Sequence, residues 1–218
     1  MEQEEVVVKI TEVFVKKKLQ NDASGHDWWH IYRVWKMALY LSEKENANNF
    51  EVQLAALLHD LDDWKLVDHE NHSGVSIAKD WLIKQQVEEK LISKICKIIK
   101  DLSFKGAGVS TRMSSIEGKV VQDADRLDAI GAIGIARAFA YGGYKNREMY
   151  NPEIKPVLHQ SFDDYKKNQS TTINHFHEKL LLLKDLMNTE TAKKIALKRH
   201  KFLENFLKQF EAEWKFIK

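Results

Sequence analysis

Prolines are almost absent: only Pro152 and Pro156 interrupt 218 residues, alongside nine glycines and a single cysteine. A chain so poor in breakers favours long helices over many short strands. One cysteine excludes an intrachain disulfide, and the setting of Cys96 in LISKICKII predicts a buried thiol in place of a nucleophile. Charge of one sign is also missing. With 34 basic and 32 acidic residues the formal net charge is +2, so no whole-chain field points to nucleic acid as the main partner. The Lys-rich C-terminal third alternates its charges with Glu and apolar residues, as on a solvated helix face. No apolar run approaches the roughly 18 residues a bilayer span requires. The opening MEQEEVVVKI is acidic and lacks the basic-then-apolar layout of a signal peptide. The expectation is a cytoplasmic protein with no membrane partner. GxxxxGK[ST] is missing as well, which removes the phosphate-loop class.

Apolar residues are plentiful, at 44%, and suffice for one substantial core. A single domain over 1–218 is expected. Helical spacing predicts helices over about 3–20, 28–46, 50–61, 73–85, 88–101 and 116–127. The small-residue stretch AIGAIGIARAFAYGG reads as a further helix, whose glycines allow close packing, and YGGY at its end as a turn beside aromatics. Residues 142–169 are less regular. Two long helices, about 170–188 and 190–214, finish the chain. Ser24 or Asp27 is placed to cap the second helix. The fold class is all-α. Phe206, Phe210 and Trp214 near the end would either pack internally or form the seam of a homodimer.

Three stretches end an apolar helix in groups that resist burial. LAALLHDLDDW stops at His59 and Asp60, followed by Asp62 and Asp63. GHDWWHIYRV carries His26 and His30 four apart. VVQDADRLDAIG brings Asp123, Asp125 and Asp128 within six residues, with Arg126 placed to neutralise one of them. Each has an ordinary reading: a capping histidine, a buried His–Asp hydrogen bond, a surface ion-pair cluster. Taken together they are most simply explained by one site. A metal ion would offset the desolvation of such groups and fix histidine neutral and aspartate ionised.

The ordered set His30-Ile31-Tyr32-Arg33-Val34, then His59-Asp60, then Asp125 within DADRLDA resembles the HD-domain metal-dependent phosphohydrolase superfamily. The flanks GHDWWHIYRV and QDADRLDAIGAIGIARAFAYGG are similar to a soluble bacterial branch of it. The likeness covers about 20–140, the expected metal-binding core, with about 141–218 completing the domain. It implies an all-helical core in which His30, His59, Asp60 and Asp125 hold one divalent cation. Mn²⁺ or Mg²⁺ suits such a mixed N/O set, with Fe²⁺, Co²⁺, Ni²⁺ or Zn²⁺ as alternatives. A second metal would need further histidines, and between the doublet and Asp125 only His69 and His72 are present.

In that family setting Asp63 is the expected general acid/base, ahead of Asp62, with Lys65 and His26 beside it. His26 matches the residue one turn before the metal histidine in this branch, where a structural role is equally open. Arg33, Lys105 and Arg137 are candidates for holding substrate phosphate. Asp128 would orient substrate or a ligand. His175 and Lys179, four apart in INHFHEKLLLL, would either close over a phosphate or form the polar edge of a packed helix. The implied activity is hydrolysis of a phosphate bond in a nucleotide, most specifically a nucleoside triphosphate pyrophosphohydrolase. A nucleoside 5′-monophosphatase, a non-catalytic nucleotide-binding module and a diiron oxygenase on the same framework are the alternatives.

Overall fold

The computed structural model describes residues 2–19, 27–61, 75–102, 109, 111–158 and 170–217. Among these every regular element is helical, as expected, and no helix is long and apolar enough to cross a membrane. Chain contacts group into two compact units: residues 1–104 with 110–124, and residues 105–109 with 125–218.

The first unit contains α1 (Glu2–Lys18), α2 (Trp28–Glu45), α3 (Asn49–Leu58), α4 (Ser76–Lys84), α5 (Glu89–Leu102) and most of α6 (Ile116–Asp128). Helix α3 is its hub, packing on α1, α2 and α5. Its sequence explains that place, since it is apolar nearly all round and Val52, Leu54, Ala55, Ala56 and Leu57 are fully buried. Asn48 caps it by accepting the Glu51 N–H at 2.9 Å. The helix expected over 50–61 stops at Leu58, leaving His59 as its C-cap. Helix α4 packs on α5, and its Trp81 stacks on Phe14 of α1 at 3.8 Å. Helix α5 buries Ile92, Ile95, Ile98, Ile99 and Leu102 on one face. Cys96 lies at the margin of that face and is half-buried, which corrects the expectation of an interior thiol.

The second unit contains α7 (Gly131–Tyr144), α8 (Thr172–Glu178), a 3₁₀ segment (Leu180–Leu186) and α9 (Glu190–Trp214). One helix expected over 170–188 is two elements instead. The chain leaves the α conformation at Lys179, with φ −140° and ψ −60°. The following LLLL run suits the change, because a three-residue turn stacks Leu180 and Leu183 on one buried side. Helix α7 packs on α8 and α9. Phe176, Leu203, Ala192 and Ala196 form the sealed part of this core. Phe206 meets Phe139 and Phe176, while Phe210 and Trp214 meet Tyr150, and Trp214 stays exposed. The expected YGGY turn is the last turn of α7. A Cβ on Gly142 would stand 2.2 Å from Thr172 Oγ1, so glycine there allows α7 and α8 to touch.

Candidate metal centre

Helix α2 delivers His30. Asp27 caps the helix by accepting the His30 N–H at 2.9 Å, which anchors the first turn, and His30 is fully buried. Helix α3 delivers the other two groups just past its end, where His59 and Asp60 are both buried. His59 Nδ1 lies 2.9 Å from the carbonyl of Ala56. Nδ1–H therefore donates to that carbonyl, and the tautomer so assigned turns an Nε2 lone pair outward from the helix end.

Asp60 sits between the two imidazoles. Its Oδ2 is 3.3 Å from His30 Nε2 and its Oδ1 is 3.7 Å from His59 Nε2. The second distance exceeds a hydrogen bond, and the first is at its long limit. Both fall within the spacing of donors that share one ion, since metal–nitrogen and metal–oxygen bonds run about 2.0–2.2 Å. The ring centroids are 5.3 Å apart and tilted by 68°, so the rings are not stacked. One ligand atom from each residue falls within 4.8 Å of the others. Two imidazoles and a carboxylate form a donor set that suits a divalent transition metal or Mn²⁺.

Arg33 is half-buried on α2, one turn after His30. In the second unit Asp125 is half-buried and Asp128 buried on the last turn of α6. Arg137 of α7 donates to Asp128 Oδ2 at 3.0 Å, so two residues expected at the substrate bind each other. Arg126, expected to neutralise a neighbouring aspartate, reaches the carbonyl of Leu186. His175 is half-buried on α8, and Lys179, its C-cap, donates its backbone N–H to the His175 carbonyl at 3.0 Å. His26, Asp62, Asp63, Lys65, His69, His72 and Lys105 lie outside the described residues. Sequence reasoning did not single out Arg199, which donates to the carbonyl of Leu127. No local pattern marks a side chain that caps a helix 72 residues away.

The family described as HD domain matches residues 28–130, a span that takes in His30, the His59-Asp60 doublet and Asp125. The chain belongs to the HD-domain hydrolase superfamily. It is 43% identical to the uncharacterized protein YpgQ of Bacillus subtilis, over 92% of this chain and 90% of YpgQ. A crystal structure of YpgQ in complex with ADP is similar to this fold with a TM-score of 0.74 and 39% identity, covering 94% of this chain and 97% of that one. A protein from Lactobacillus plantarum is similar with a TM-score of 0.87 and 40% identity, covering 97% and 98%. An HD-superfamily hydrolase from Bacillus thuringiensis is similar with a TM-score of 0.73 and 47% identity, also covering 97% and 98%.

Proposed function

We propose that this chain is a divalent-metal-dependent phosphohydrolase that cuts nucleoside triphosphates to the monophosphate and pyrophosphate. The observation that carries the metal is the buried group His30, His59 and Asp60, with one carboxylate oxygen facing each imidazole. The motif order adds Asp125 as the fourth ligand. The nucleotide class is supported by YpgQ, which was crystallised with ADP.

A bound cation would polarise a phosphate oxygen and acidify a water molecule. His59 would offer Nε2 to the cation, because the Ala56 carbonyl takes its Nδ1–H, and Asp27 anchors the backbone of His30. Asp63 is the general acid/base, a role worth roughly 10²–10⁴-fold. Lys65 and His26 assist it. Arg33, one turn from His30, draws in the triphosphate, as do Lys105, His175 and Lys179, and Asp128 orients Arg137 for the same task. One metal, Mn²⁺ or Mg²⁺, is sufficient for this scheme. A cytoplasmic setting and the absence of a nucleic-acid or membrane partner belong to the same reading.

The test is a screen of nucleotides for phosphate and pyrophosphate release with Mn²⁺, Mg²⁺, Co²⁺ and Zn²⁺. Pyrophosphate and nucleoside monophosphate in equal amounts are expected from a triphosphate. Asp63→Asn should lower kcat about a hundredfold or more while metal stays bound, and Asp60→Ala should abolish metal binding. Orthophosphate from monophosphates alone would replace this reading with the monophosphatase. Nucleotide binding without turnover would leave a binding module.

A further inference from the structure

A helix leaves its last carbonyls without partners inside the helix. At the end of α6 the Ala129 N–H serves the Asp125 and Arg126 carbonyls and the Ile130 N–H reaches that of Leu127 at 3.3 Å, and a long arginine from far along the chain adds a second donor to Leu127. Arg199 of α9 donates through Nη1 to the carbonyl of Leu127. Its stem lies against Gly131, where a Cβ would stand 3.2 Å from Arg199 Cβ and 3.1 Å from its Cγ. Gly131 also has φ +79°, a conformation that favours glycine, and a Cβ there would press on the Arg199 stem. The guanidinium is partly withdrawn from water, and burial holds its pKa below the usual arginine value, with Asp128 opposing. A cation placed there meets the negative end of α6.

Two more arginines tie down the same turn: Arg137 binds Asp128, and Arg126 binds the Leu186 carbonyl. Arg137, Leu186 and Arg199 all lie beyond residue 130, where the family match ends. The clamp therefore joins the last turn of α6, inside the family match, to the helices that follow it. From this we infer that Arg199 is a positioning residue that holds the last turn of α6, and so Asp125, in the register a metal ligand needs. The inference rests on the metal reading proposed above.

The test titrates Mn²⁺ into the full chain, following free Mn²⁺ by electron paramagnetic resonance. Arg199→Met should weaken Mn²⁺ binding about tenfold, the lower end of what loss of a ligand-orienting contact costs. Arg199→Lys, which keeps one donor, should show a smaller loss. Amides of residues 125–130 should exchange faster in Arg199→Met. Leu203→Ala, a cavity in the same helix at a fully buried position, should lower Tm and leave Mn²⁺ affinity unchanged. Wild-type affinity in Arg199→Met overturns the inference, as does an equal loss in Leu203→Ala. If Arg199→Met does not fold, unchanged affinity in Arg199→Lys overturns it. A wild-type chain that binds no Mn²⁺, or a His59→Ala chain that binds it normally, would instead overturn the metal reading.

Discussion

Asp60 and Glu51 are both buried carboxylates served by α3, and they differ in what faces them. Asp60 is flanked by two imidazoles at metal-sharing distances. Glu51 is 2% exposed, its Oε1 has no hydrogen-bond partner among the described residues, and its Oε2 is 3.5 Å from Lys94 Nζ. Burial raises the Glu51 pKa first and the charge of Glu117 second, while Lys94 lowers it. The folded state therefore binds this proton more tightly than the unfolded state does. Stability is at its full value below the ordinary glutamate pKa, about 4.3, and falls as pH rises through the higher folded value. Glu51→Gln removes that loss. Thermal melts should place the variant above wild type near neutral pH and show the gap closing in acid; a variant less stable at both would refute the account. Asp60 was legible in the sequence because it ends an apolar run beside a histidine. Glu51 was not, since a glutamate in the first turn of a helix looks like an ordinary surface residue.

Most helices were legible because their apolar residues recur with helical period and so few breakers intervene. What periodicity could not give is where two backbones touch. Gly134 and Gly143 both sit in α7 within small-residue runs, yet their surroundings differ. A Cβ on Gly134 would stand 2.2 Å from the Ala129 carbonyl oxygen and 2.4 Å from its carbon, and backbone cannot swing aside. A Cβ on Gly143 would meet nothing within 4 Å among the described residues. Gly134→Ala should cost about 3 kcal/mol, the upper range for overpacking, or a Tm drop of roughly 6–12 °C for a chain of this size. Gly143→Ala should gain about 0.5–1 kcal/mol by removing backbone freedom from the unfolded state. Equal effects in calorimetry would mean that α7 is not seated on Ala129. The same limit explains the break at Lys179. A leucine run fits a three-residue turn as well as an α-helix, and only packing of Leu180 and Leu183 decides between them.

At the scale of the whole chain, the family match ends at residue 130, whereas the aromatic cluster around the buried Phe176 lies after it. Helix α7 has four glycines in 14 residues, each about 1 kcal/mol worse than alanine in a helix. Alone it would be too short and too weak to persist in water. Its support comes from α8 and α9, through Phe139 against Phe176 and Phe206 and through Gly142 against Thr172. A chain cut after Tyr144 keeps every metal-binding residue proposed here but loses those partners and the Arg199 donor on Leu127. The truncated chain should show loss of helical circular dichroism beyond the deleted segments. It should also lose amide protection across 131–144, with weaker Mn²⁺ binding. The full chain, if its C-terminal helices complete one domain, should melt in a single calorimetric transition. Retained protection in α7 with wild-type Mn²⁺ affinity would show that residues 28–130 suffice, and that the later helices serve something other than the fold.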